Sequence, residues 1–373
     1  MNRPHLRGRT RLLTAATGTL ALVGAAAAAQ SPVAAQDAGP LMAPHVVVAS
    51  GLDNPRQLTV LEGGDFLIAE AGHGGDNPAN CIDTDEGEQC IGLTGKVSRI
   101  HDGRRTVVMA GMLSGAAKDG TAAVGSDGAG KLPMGPYLAI ESIADPDMVP
   151  PGLPAEQAGH LLAKFPDGPR HPVADVSAYE RNHDPDGEGV DSNPYSVLAL
   201  DNQTLVADAA ADAILSVRGH SVSLWALLPE YGPRVDAVPT VIAKGPGGMI
   251  YVGELHSFVQ HKAKVWQYDR MGHRLRSWTG FTTVTGVARG ADGSLYVSEL
   301  FGGVCTFQQI PTCFPGRVVK VAPNGTRTHV NVPFPAGIVV RNGLVYVNAF
   351  SISPATGFGG NPAWSGQLWR VFP

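Results

Sequence analysis

The sequence predicts an all-β fold: a six-bladed β-propeller of four-stranded antiparallel blades, closed by an N-terminal strand that pairs into the last blade. Three observations lead there. Gly (47) and Pro (29) make up about a fifth of the 373 residues and are spread along the chain, and turn-formers between short apolar runs read as many short strands. A unit of roughly 45 to 50 residues recurs, which is the mark of a repeat architecture. Finally, the chain ends complement each other, because the last unit stops one strand short while an extended segment at residues 45–50 has no unit of its own.

The core of each unit is a Pro-led apolar strand, a Gly turn, a strand ending in a carboxylate, a longer loop, a Gly-led basic–apolar strand and a last short strand. Unit one occupies residues 55–58, 65–70, 95–100 and 106–108. Unit two is the least regular, at 137–141 and 160–165. Unit three ends its second strand at Asp208. Units four, five and six have their second strands at 249–254, 292–299 and 343–348. Four meandering strands per unit form a propeller blade, and a single blade cannot cover its own apolar faces, so blades must stack around an axis. Residues 45–50 then supply the outer strand of blade six and pair two edges that would otherwise be open. Residues 155–165 are the best helical candidate, weakened by the internal Gly159.

Residues 1–35 read as a secretory signal peptide. Arg3, Arg7, Arg9 and Arg11 precede a largely apolar run at 12–29, and Val33-Ala34-Ala35 fits a small-x-small cleavage site. The competing reading is an uncleaved anchor, since a run of about 18 residues approaches a membrane span. Residues 36–43 read as a linker and 44–373 as the propeller. The chain without its first 35 residues keeps 24 basic against 33 acidic residues, a net charge of −9. That balance argues against nucleic acid or an anionic membrane surface as a partner. The expected location is secreted or extracytoplasmic, in the cell envelope, with no integral span after cleavage.

Four cysteines suit an exported chain. Of three possible pairings, the local pairs Cys81–Cys90 and Cys305–Cys313 are favoured. A zinc site is the alternative, but no C-x-x-C and no His at ligand spacing accompany them.

Propeller order places the second-to-third strand loops and the blade-to-blade connections on one end of the cylinder. Glu70, Glu141, Asp208, Glu254, Glu299 and, in blade six, Asn348 close the second strands and are expected to approach that rim. The insertions 71–93, 177–192 and 300–315 fall there as well. His73 and His256 follow Glu70 and Glu254 closely, so imidazoles are expected at the same rim. This makes Glu70, His73, Asp208, Glu254, His256, Glu299 and Asn348 candidate ligand-binding residues, with Glu70, Glu254 and Glu299 as candidate metal ligands. The competing reading is that each carboxylate accepts backbone hydrogen bonds from turns.

Other motifs are weaker. In the acidic loop 182–191, Asn182, Asp184, Asp186 and Gly187 match positions 1, 3, 5 and 6 of a calcium loop. Position 12 is Asn193 instead of the bidentate Glu, so Asp184 and Asp186 remain weak calcium candidates beside the reading as a solvated turn. Residues 125–131 have phosphate-loop spacing, but Leu132 stands where the magnesium-binding Ser or Thr belongs. No G-x-S-x-G, H-E-x-x-H or C-x-x-C-H occurs, so no catalytic residue can be named by motif.

Residues 47–56 (VVASGLDNPR), 68–75 (IAEAGHGG) and 94–100 (TGKVSRI), with later matches at 175–180, 192–195 and 251–255, resemble the ScyD/ScyE family of exported β-propeller proteins. The resemblance runs over nearly the whole chain after the leader. It implies the propeller and export, and it supplies no agreed catalytic residues. Two rim loops depart from the family pattern, at 209–212 and 256–258. The expected function is a ligand-binding or interaction protein that holds a small molecule, glycan or protein on its loop-rich face. The alternative is a metal-dependent, lactonase-like hydrolase with a divalent ion at the tunnel mouth. A quinone-dependent dehydrogenase or a purely structural role trails both.

Overall fold

The computed structural model describes residues 42–84, 87–232 and 235–373. The predicted signal peptide and most of the linker lie outside the described residues. The chain forms six antiparallel sheets in a ring, a six-bladed β-propeller. Strand β1 (His45–Leu52) stands apart in sequence from the blade it completes. Blade 1 holds β2 (Pro55–Val60), β3 (Phe66–Glu70), β4 (Cys81–Thr84), β5 (Gly87–His101) and β6 (Arg104–Ala117). Blade 2 holds β7 (Ser126–Lys131), β8 (Tyr137–Glu141), β9 (His160–Lys164) and β10 (Arg170–Asp175). Blade 3 holds β11 (Pro194–Ala199), β12 (Thr204–Asp208), β13 (Ala213–Arg218) and β14 (Ser221–Leu227). Blade 4 holds β15 (Pro239–Lys244), β16 (Ile250–Glu254), β17 (Ala263–Tyr268) and β18 (Arg274–Phe281). Blade 5 holds β19 (Val284–Arg289), β20 (Leu295–Glu299), β21 (Arg317–Val321) and β22 (Arg327–Asn331). Blade 6 holds β23 (Ile338–Arg341), β24 (Leu344–Ala349) and β25 (Gly366–Val371), with β1 as its outer strand.

Closure follows the predicted route. Strand β1 runs antiparallel to β25, with His45 opposite Val371, Val47 opposite Trp369 and Leu52 opposite Gly366. The His45 ring stacks on Trp369 at 3.6 Å.

The second strands explain the packing. All five residues of β3, β8, β12, β16 and β20 are buried, because each strand is covered on both faces by neighbouring blades. The outer strands β14 and β22 are largely exposed. The apolar cores therefore sit between blades. Leu67, Ala69 and Val97 of blade 1 pack on Ala129, Ala139 and Leu162 of blade 2, and Leu52 and Leu368 close the last gap against Phe66 and Ile68.

Two local expectations are corrected. Residues 155–165 are not a helix: a single 3-10 turn at Ala155–Gln157 leads into β9. Gly159 sits between them at φ 66, a left-handed conformation that ends a helix. Its N–H donates to Ile143 and its carbonyl accepts from Val176. The insertion 71–93 is mostly sheet, since β4 and the first part of β5 carry blade 1 beyond its neighbours, and β6 follows β5 along its length. Among the described residues the α-helix is α1 (Ser177–His183), inside the connection from blade 2 to blade 3. Both expected disulfides, Cys81–Cys90 and Cys305–Cys313, are present. Among the described residues, no helix is long and apolar enough to cross a membrane.

Candidate functional site

The strand order puts the 71–93, 177–192 and 300–315 insertions on one end of the ring, as expected. Glu70, Glu141, Asp208, Glu254, Glu299 and Asn348 also reach that end, all fully buried, and each is engaged locally. Glu70 accepts the Asp53 N–H at 2.7 Å, bonds Ser98 Oγ and pairs with Arg105 at 2.8 Å. Burial pushes its carboxyl up, while Arg105 and Lys96 pull it back down. Glu299 accepts the Thr282 N–H at 2.6 Å and pairs with Arg317. Asp208 accepts the Asn193 N–H at 2.7 Å and the Ser192 hydroxyl at 2.5 Å. The Asn348 side-chain amide donates to the Arg56 carbonyl at 2.9 Å. Glu141 is held well above the usual carboxylate range by burial and by Asp127.

The bonds of Glu70 and Glu299 share a purpose. The segments leading into the first strands of blades 1, 2, 4, 5 and 6 hold Asn54, Ala122, Val238, Thr283 and Phe334 at positive φ, a strained state for residues with a Cβ. In blades 1 and 5 the second-strand carboxylate holds the N–H of the residue just before the strained one. In blade 4, Asp212 does this instead, accepting from Ala237 at 2.8 Å and Val238 at 2.7 Å. Glu254 is thereby released to accept from Tyr231 at 3.1 Å and Trp266 at 2.8 Å, with His256 Nδ1 at 3.1 Å. His73 is 3.2 Å from Asp53, in blade 1. The two imidazoles thus serve different carboxylates in different blades.

An axial cavity of about 640 Å³ is lined by the first strands of all six blades. Its exposed lining residues, Glu62, Pro133, Met134 and Lys244, lie at the far ends of first strands or in the turns that follow them, so it opens opposite the insertions. At the other end Arg56 stops it, paired with the buried Asp127 at 3.1 Å and donating to the carbonyls of Ser351 and Ala123. None of the six second-strand residues lines this cavity. Glu70, Glu254 and Glu299 each bond groups around their own blades, and the cluster of three metal-competent side chains found among the described residues includes none of them.

Acids do gather in the 177–192 insertion. Among the described residues, one group of three metal-competent side chains lies within mutual reach: Glu180, Asp184 and Asp186, with ligand atoms within 4.8 Å of one another. Sequence reading found the last two and missed Glu180. Helix α1 supplies the reason, because its final turn places Glu180 over Asp184. Asp184 ends the helix at φ 43, and its N–H returns to the Glu180 carbonyl. Burial first, then Asp186, Asp208, Asp184 and Asp191, raise Glu180 to about 8. Burial and the same neighbourhood raise Asp191 and Asp212 to about 7.

No protein-family model matches this chain, and no curated protein aligns with it significantly. Solved structures do. Regucalcin of Agrobacterium tumefaciens, described as a calcium-binding protein, is 11% identical with a TM-score of 0.51, covering 89% of this chain and 94% of its own. A luciferin-regenerating enzyme is 10% identical with a TM-score of 0.51, covering 88% and 96%. At such identities the likeness shows the propeller fold alone, and propellers host many unrelated functions.

Proposed function

We propose that this protein is an exported, non-catalytic binding propeller of the ScyD/ScyE type, which presents its insertion-bearing face to a small molecule, glycan or protein. One observation carries the reading: Glu70 and Glu299 hold turns and arginines, Asp208 holds Ser192 and Asn193, and Glu254 holds Tyr231 and Trp266, while the insertions build outward at the same end. A rigid ring bearing loops tied by disulfides is a recognition scaffold. Leu93, Val190 and Val304 are exposed on those insertions, Val304 at 82%, and Val259 on the β16–β17 loop at the same end, which puts exposed apolar side chains on the face proposed for contact. Export is supported by the leader-like residues 1–35 and by two disulfides.

The test is native mass spectrometry of protein recovered from culture medium, together with hydrolysis assays on lactones and esters with and without divalent ions. A retained or captured partner that is lost on V190D/V304D, with no turnover, supports binding. Turnover that disappears with E70Q/E254Q would establish the lactonase-like alternative instead.

A further inference from the structure

The 177–192 insertion holds a feature that partner binding does not require. Glu180 is fully buried, and neither of its carboxylate oxygens has a hydrogen-bond partner. A buried carboxylate without a donor is costly, and such groups are otherwise paired or coordinate metals. Its ligand atom lies within 4.8 Å of those of Asp184 and Asp186. The basic side chains of the same helix are engaged elsewhere: Arg181 bonds Asp175 at 2.5 Å and Ser177 at 2.6 Å, and His183 Nδ1 bonds the Tyr179 carbonyl at 2.9 Å. The other charges acting on Glu180 are acidic. Asp236, which acts on Asp186 and Asp191, also has a buried oxygen without a partner.

The loop is built to hold these groups in place. Asp184 Oδ1 accepts the Gly189 N–H at 3.2 Å, and Asp186 Oδ1 accepts the Glu188 N–H at 3.0 Å, so each carboxylate is oriented by its own chain. The helix is fixed at its start, where Asp175 Oδ1 accepts the Ala178 N–H at 2.9 Å. What is lacking is positive charge at the centre.

We propose that Glu180, Asp184 and Asp186 form a calcium site, in which the ion ties the last turn of α1 to the loop that follows it. An all-oxygen set of three carboxylates without His or Cys selects a hard cation, and an irregular loop suits the flexible coordination of Ca²⁺ better than the strict octahedron of Mg²⁺. The ion would offset the mutual repulsion of these carboxylates. The site stands independently of whether the face binds a partner.

The experiment uses the exported full chain, stripped with chelator, dialysed and titrated with CaCl₂ by calorimetry, with thermal unfolding followed in parallel. One equivalent should bind with Kd on the order of 10⁻⁴ M or tighter, as extracellular calcium modules do, and Tm should rise by several degrees. E180Q, which keeps the size and removes the charge, should weaken calcium at least tenfold, as should D184N/D186N. D269N, on an outer hairpin, should leave it unchanged. If Glu180 is only a buried neutral acid, the folded wild type takes up no calcium at millimolar concentration and E180Q is as stable as wild type with or without the ion. That result would overturn the proposal while leaving the binding reading intact.

Discussion

The Asp53 carboxylate accepts the backbone N–H of Ala355 at 2.7 Å, joining residues 302 positions apart in the chain. The same carboxylate bonds Lys96 and lies 3.2 Å from His73. One side chain thus fastens blade 1 to the loop of blade 6, next to the seam where β1 completes the ring. The interactions with His73 and Lys96 hold it well below the usual carboxylate range, against the opposing effect of burial.

His73 is the reporter of this cluster. Its hydrogen bond to Asp53 raises its pKa above 6.5, so its stabilising effect is complete below the unfolded value and is lost as pH rises through the folded one. Asp53 behaves oppositely, with stability present above about 3.8 and lost as pH falls through its depressed folded value. NMR titration should find His73 above the ordinary imidazole value, and D53N should bring it down.

Removing a turn-holding carboxylate should be costly. E299A leaves the Thr282 N–H and Arg317 without their acceptor, and breaking a largely buried pair costs about 3 kcal/mol. Urea unfolding should show that loss. A change below about 0.5 kcal/mol, within the range of ordinary surface substitutions, would mean that Glu299 is not structural.

Asp212 predicts a pH dependence of opposite sign to that of Asp53. Its carboxyl is raised from 3.8 to about 7, by burial first. The folded state therefore holds the extra proton, and the stability this group contributes is full below the unfolded value and is lost as pH rises through about 7. With chelator present, the urea midpoint should fall from about pH 5 to about pH 8, and D212N should shrink that fall.

The disulfides should act locally. Closing loops of this length constrains the unfolded chain by about 2–3 kcal/mol, but Cys81–Cys90 joins β4 to the start of β5, beyond the part of β5 that pairs β3, and Cys305–Cys313 lies in the 300–315 connection. C81S/C90S should speed amide exchange in β4 and the start of β5, while β3 keeps its protection. Loss of protection throughout blade 1 would show that the pair is needed by the whole sheet.

The ring was legible in the sequence because its repeat is local: apolar second strands ending in an acid recur at near-even spacing, and β1 was visible as a strand without a unit. Blade 2 was obscured by its first strand. Residues 125–131 show phosphate-loop spacing, yet 126–131 are β7, and Gly128 is needed because a Cβ there would meet the Tyr195 carbonyl at 2.8 Å. Close approach to the next blade, not a ligand, requires that glycine. The acids of the rim were legible as a set, but their partners were not, since Arg105, Arg317 and Tyr231 lie 35, 18 and 23 residues from the acids they meet. Glu180 went unnoticed because a helix of seven residues shows too little periodicity to predict.

Closure by β1 makes the insertion-bearing end a single rigid face, and amide hydrogen exchange of the intact protein tests it most directly. Backbone amides of β1 that bond β25 should exchange as slowly as those of β24, and both edges of blade 6 should open together in denaturant. Fast exchange across residues 45–52 with β25 still protected would contradict it, leaving an open ring in place of a closed propeller.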